Sequence, residues 1–158
     1  MQDQTTAKRS VLFPGQGSQE RGMGRDLAEY DEQIMDLWRA AEKKSGASLR
    51  EIFWDGDEQA MTETRYQQPA LFVTGLGVWR HISSALAPHY LAGHSVGEFT
   101  ALSAAGVLTA DEALDLVCLR GRLMFEAGEH RAGCMAAVLK LEENQVQEIV
   151  SQACDETG

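Results

Sequence analysis

Residues 90–102, YLAGHSVGEFTAL, constrain this chain more than any other stretch. A serine sits at the centre of Gly93-His94-Ser95-Val96-Gly97, with the apolar run Tyr90-Leu91-Ala92 before it and a helix-compatible run over 96–105 behind it. Gly-x-Ser-x-Gly between a strand and a helix is the pattern of a nucleophile elbow. The turn is so tight that side chains flanking the serine would collide with the strand and helix it joins, which is why glycines stand there. The serine is then held at the tip. The amide of Val96 and the positive end of the following helix face any oxyanion that forms on a group Ser95 attacks. Ala101, Ser103, Ala104, Ala105 and Gly106 are all small, which lets that helix lie close on a sheet. The plainer alternative is a glycine-rich turn carrying an incidental serine.

A serine nucleophile needs a base. His94 is its sequence neighbour, and neighbouring side chains diverge at a sharp bend, so His94 suits a pocket wall and not proton transfer. His81, His89 and His130 stand in polar or helix-end contexts without an evident orienting carboxylate, as surface residues do.

The rest of the chain alternates short apolar runs with helical periodicity. Strands are expected over 10–13, 90–92 and 134–141. Helices are expected over 26–44, from Pro69 at a first-turn position to about 83, over 96–105, from Thr109 to 127 with a stop at Gly128, and over 142–154. Thr109 and Glu112 form a capping box at the head of the fourth of these. Residues 56–67 read as polar and irregular. Strands followed by helices imply an α/β layered fold with a mostly parallel sheet. Three strands are few for such a sheet, so the chain is expected to be the front part of a longer polypeptide.

Composition narrows the function classes. With 158 residues and 44% hydrophobic content, the chain is long enough for one real core. A net charge of −10, with no basic block longer than Lys43-Lys44, argues against a nucleic-acid partner. The longest apolar run, 70–79, is interrupted by Thr74 and two glycines and is too short for a bilayer, and the start MQDQTTAKRS lacks a signal-peptide core. Cys118, Cys134 and Cys154 lack metal-ligand spacing and read as reduced, core-type residues. The expectation is a soluble, cytoplasmic protein with no metal.

Two further features carry chemistry. Phe13 to Gln19, FPGQGSQ, follows the first strand, and glycines on both sides of Gln16 let its backbone approach a ligand; as a bare motif it is also simply a flexible turn. Strand ends on one edge of a parallel sheet face a common crevice, which would bring this loop to the Ser95 turn. Arg120 has Leu116, Val117, Leu123 and Met124 as its helical neighbours, whereas Arg122 has Glu126 four residues on and reads as a surface pair. A guanidinium among apolar side chains needs an anion. That anion is either a protein carboxylate or one that arrives with a substrate, which the planar guanidinium would grip by two parallel hydrogen bonds.

FPGQGSQ, the segment Tyr66-Gln67-Gln68-Pro69-Ala70-Leu71, GHSVGEF and LRGRLM occur in the order and approximate spacing of malonyl-CoA:acyl carrier protein transacylases. The chain resembles that family, and the acyltransferase domains of polyketide and fatty acid synthases, through essentially its whole length, but over only about the first half of a member. The resemblance implies a hydrolase-like α/β domain whose N-terminal part is residues 1–131, with residues 132–158 as the first strand and helix of a ferredoxin-like subdomain. It implies Ser95 as the malonyl-carrying nucleophile and Gln16 with the Val96 amide as the oxyanion hole. It also implies Arg120 as the holder of the free malonyl carboxylate, and Gln68 and His94 as pocket lining. Malonyl-CoA would be the donor and the phosphopantetheine thiol of acyl carrier protein the acceptor, in fatty acid biosynthesis. No cofactor or metal is required, because the thioester is already activated. The family's catalytic histidine would lie beyond Gly158, so the isolated chain is expected to be inactive or nearly so.

Two other readings compete. A serine esterase or thioesterase would need an acid and a histidine after Ser95, and His130 is the only later histidine. A non-catalytic fragment that binds acyl carrier protein would need a local basic patch, such as one around Arg21 and Arg25.

Overall fold

The computed structural model describes residues 8–56, 58–130 and 138–157. Strand β1 (Ser10–Phe13) pairs in parallel with β2 (Tyr90–Gly93), in the register Ser10 to Tyr90 through Phe13 to Gly93. Between and after them lie the helices α1 (Arg25–Tyr30), α2 (Glu32–Ser45), α3 (Thr64–Leu86), α4 (Gly97–Ala104), α5 (Ala110–His130) and α6 (Glu143–Thr157). The result is an α/β structure with a small parallel sheet and a mostly helical body.

The core sits among α2, α3 and α5. Trp38, Phe53, Phe72, Ile34, Leu49 and Leu114 are fully buried, and Trp38 meets Trp54 edge to face with ring centroids 5.1 Å apart. Each such side chain contributes roughly 1.5–3 kcal/mol of burial free energy. Burial on α5 runs through Ala113, Leu114, Val117 and Gly121, the face turned to α3. The capping box forms as expected: Glu112 N–H donates to Thr109 Oγ1 at 3.2 Å, and Thr109 N–H donates to Glu112 Oε2 at 2.9 Å.

Several expectations are corrected. The helix expected over 26–44 is two helices, because Asp31 is extended (φ −124°, ψ 112°) and its carboxylate caps α2 by accepting from Gln33 N–H at 2.9 Å. The helix expected to open at Pro69 begins at Thr64, with Pro69 inside it and buried. Of the residues 56–67 read as irregular, Ala60–Thr62 form a 3₁₀ turn and 64–67 belong to α3, and a wide turn over Glu51–Asp55 precedes them. α5 continues past Gly128 to His130. The strand expected over 134–141 lies partly outside the described residues; Val138 to Leu141 are irregular, and Lys140 has φ +64°.

The first strand is less buried than its composition suggests: Phe13 is buried, but Leu12 is 75% exposed. A parallel sheet is normally covered on both faces, and among the described residues the helices cover one. Cys118 is half-buried, and burial, helped by the charge of Asp115, pushes its thiol up to about 11, so it stays protonated at neutral pH. Cys154 corrects the core-type reading: it is exposed on α6, a helix with no buried residue. Among the described residues no helix is long and apolar enough to cross a membrane.

Thr109→Ala removes one half of the capping box and should lower stability by about 1 kcal/mol, read from the midpoint of denaturant unfolding. A second test uses the Glu42–Arg50 pair, joined at 2.7 Å between Glu42 Oε2 and Arg50 Nη2. Burial alone raises the Glu42 carboxyl, but the hydrogen bonds and charge of Arg50 outweigh it and leave the group below its ordinary value. A carboxyl whose folded value is depressed stabilises the fold above its unfolded value and loses that contribution as pH falls through the folded one. Acidification from about pH 5 to about pH 3 should therefore destabilise the parent more than Arg50→Met, measured by unfolding at each pH.

Candidate active site

The site is built where β1 and β2 end side by side. His94 N–H donates to Phe13 O at 2.9 Å, which extends the parallel pairing one residue beyond the strands and sets the FPGQG loop against the serine turn. Two glycines make this approach possible. A Cβ on Gly97 would overlap the Phe13 carbonyl, and one on Gly93 would overlap the Gly97 backbone. Gly15 touches the same turn: a Cβ there would lie 3.2 Å from Ser95 Cβ and 2.7 Å from His94 Nδ1.

Ser95 occupies the left-handed region at φ +55°, between β2 and α4. A non-glycine residue there is uncommon, and such backbone strain concentrates at functional sites. The first helical N–H groups of α4 are satisfied locally: Gly97 donates to His94 O at 2.9 Å, Glu98 to Ser95 O at 3.1 Å and Phe99 to Val96 O at 3.1 Å. The N–H of buried Val96, immediately after the serine, has no partner among the described residues.

Arg120 reaches the turn from α5. Its Nη2 donates to Ser95 Oγ at 3.2 Å and its Nη1 to Gln68 Oε1 at 2.6 Å. Gln68 is fully buried on α3; its Nε2 lies 3.1 Å from Met124 Sδ and 3.5 Å from Gln16 Oε1. Arg25, Arg39, Lys44, Arg50 and Arg65 have carboxylate partners, and Arg122 pairs with Glu126 at 3.7 Å as its spacing predicted. Among the described residues no carboxylate lies within 4.0 Å of the Arg120 guanidinium. The apolar stripe expected around Arg120 is only half real. Val117 is buried, but Leu116 and Leu123 are 43% and 52% exposed, because α5 packs on α3 through a face that Arg120 borders.

Ser95, Val96, Arg120, Gln68 and Gln16 therefore fall in one neighbourhood, although they come from two helices, one turn and one loop. His94 is exposed, with its ring directed at Gly15. His81, His89 and His130 are also exposed, and among the described residues no histidine hydrogen-bonds Ser95. Two site residues escaped the sequence reading: Gln16 Nε2 donates to Gln67 Oε1 at 2.7 Å and to Thr64 Oγ1 at 3.2 Å. Their i, i+3 spacing on the first turn of α3 was the available signal, hidden because that turn was not read as helix. The arrangement provides a hydroxyl at a strained tip, an unpaired N–H beside it and a cation within hydrogen-bonding distance. These are the parts for acyl transfer from a substrate that carries its own anion.

The chain is similar to known proteins over most of its length. The acyl transferase domain family matches residues 11–156. A malonyl CoA-acyl carrier protein transacylase of Bacillus subtilis is 36% identical over 151 residues, 95% of this chain and 48% of that protein. The crystal structure of a malonyl-CoA:acyl carrier protein transacylase from Xanthomonas oryzae pv. oryzae superposes with a TM-score of 0.80 at 41% identity, over 94% of this chain and 48% of that one. A malonyl-transacylase solved in complex with a type II polyketide synthase acyl-carrier protein superposes with a TM-score of 0.69 at 38% identity, over 77% of this chain and 40% of that one. The chain thus spans about half the length of the relatives it matches.

Proposed function

This chain belongs to the acyl transferase domain family, and from that premise we propose that it carries the acyl-accepting serine of a malonyl transferase acting between malonyl-CoA and acyl carrier protein in fatty acid biosynthesis. Residues 1–131 form the N-terminal part of a hydrolase-like domain whose nucleophile elbow is the Ser95 turn. Residues 132–158 begin a ferredoxin-like subdomain.

In the first half-reaction Ser95 Oγ attacks the thioester carbonyl carbon of malonyl-CoA. The carbonyl oxygen takes the negative charge, supported by the N–H of Val96 and that of Gln16. The C–S bond then breaks, CoA leaves as its thiol with the proton taken from Ser95, and malonyl-Ser95 remains. The second half-reaction runs the same path in reverse, with the phosphopantetheine thiol of acyl carrier protein as nucleophile. The thioester is activated already, so this chemistry needs no metal or resident cofactor. The base that moves the proton comes from outside the described residues. His94 lines the pocket wall, in contact with Gly15.

One observation carries the choice of substrate: the guanidinium of Arg120, 3.2 Å from Ser95 Oγ and without a carboxylate among the described residues. A cation so placed suits the free carboxylate of a malonyl group esterified at Ser95. For the neutral substrates of an esterase it would be a liability. Acyl carrier protein enters as the acceptor because a relative forms a complex with one.

Calorimetry tests the substrate. Arg120→Met should weaken malonyl-CoA binding by about 10- to 100-fold, the range of a charge-assisted hydrogen-bonded pair, and leave acetyl-CoA binding within about twofold. Equal losses for both ligands would remove the carboxylate role. The base is tested separately: a purified chain confirmed by intact mass to end at Gly158 should show no rapid malonyl exchange between CoA and acyl carrier protein. Rapid exchange would place a competent base inside the chain.

A further inference from the structure

Gln67 is 6% exposed, on the first turn of α3, and the acyl-transfer chemistry gives it no role. A buried amide must place its polar atoms, and the Gln67 side-chain oxygen is used on Gln16 Nε2 at 2.7 Å. Thr64 Oγ1, one helical turn earlier, accepts from the same nitrogen at 3.2 Å. Both side-chain amide hydrogens of Gln16 are therefore consumed by α3. Gln16 stands at the bend of the FPGQG loop, next to Gly15 against Ser95 and before Gly17 at φ +96°. Its side chain is thus unavailable to a developing oxyanion. Its backbone N–H, which has no partner among the described residues, is the donor left over.

We propose that Gln67, assisted by Thr64, is a positioning residue that clamps the Gln16 side chain to α3, so that the loop presents the Gln16 backbone N–H beside Val96. The clamp is a matter of geometry; its use in oxyanion binding rests on the acyl-transfer reading. The direction of the amides supports it. Arg120 can only donate, so it fixes Gln68 with its oxygen toward the guanidinium and its NH₂ toward Gln16 Oε1, and Gln16 then has its NH₂ facing Gln67 and Thr64. The loop is held from the α3 side by a chain of oriented amides that starts at the cation.

The test uses the ¹⁵N-labelled full chain, with amide hydrogen exchange as the first readout and titration with malonate as the second. Loss of one buried hydrogen bond in Gln67→Met should speed exchange at Gly17, whose N–H donates to Gln19 Oε1 at 2.8 Å, by about tenfold without a matching rise across α3, and Thr64→Val should do so by about threefold. Gln67→Glu keeps an acceptor and should restore exchange to within about twofold of the parent. Malonate should shift the Gln16 and Val96 amide resonances of the parent, whereas in Gln67→Met the Gln16 shift should fall by at least about half with the Val96 shift kept. Unchanged exchange at Gly17 in Gln67→Met, or a uniform rise through α3, overturns the clamp. If Gln67→Met does not fold, unchanged exchange in Thr64→Val overturns it instead. Altered exchange together with no malonate shift at either amide in the parent would leave the clamp standing and reject the acyl-transfer reading.

Discussion

Everything at the site depends on four residues of parallel pairing between β1 and β2, continued by the hydrogen bond from His94 to Phe13. Parallel strands end on the same edge, so the loop that leaves β1 and the turn that leaves β2 must share one crevice. The pairing brings Gly15 and Ser95, about eighty positions apart in sequence, so close that a Cβ on Gly15 would lie 3.2 Å from Ser95 Cβ. It tolerates no bulk between them. Had the two strands been antiparallel, FPGQG and GHSVG would stand at opposite ends of the sheet.

On this edge the helices add the charge. α3 and α5 cross over the crevice and contribute Gln68 and Arg120, and the contact between these helices is the most extensive in the fold. A guanidinium held between an amide oxygen and a hydroxyl is solvated by neutral dipoles but not neutralised. Such a group gains most from an arriving anion, because the cost of partly burying it has already been met by folding. The same contact ties Arg120 to the Gln16 loop through two amides, so the cation and the serine turn are parts of one polar network.

Much of the local structure was legible in the residues. Thr109 and Glu112 announced a capping box and formed one; Ser10 to Phe13 followed by Pro14-Gly15 announced a strand stopped by a loop. The errors have physical sources. Asp31 read as one more polar residue on a continuous helical face, yet its carboxylate competes for a backbone N–H and ends one helix to cap the next. Pro69 read as a helix start because it lacks an N–H; inside α3 the burial of its neighbours Gln68, Ala70 and Phe72 outweighs that missing bond. Leu116 and Leu123 read as a buried stripe around Arg120, but periodicity cannot say which part of an apolar face a neighbour will cover.

The sequence alone determined the chemistry on offer: a serine in a turn that needs glycine two residues to either side, an arginine with no local acid, and amide-rich segments waiting to be oriented. These are short-range properties, set by sterics within a turn and by the identity of neighbours along a helix. The tertiary structure decided which of them meet. It set Gln67 and Thr64 on Gln16, turned the His94 ring to Gly15, and left the guanidinium of Arg120 within reach of Ser95. The contacts that make the site join residues from 25 to about 80 positions apart in sequence, and no local rule carries information over such a distance; only the packing of strands and helices does.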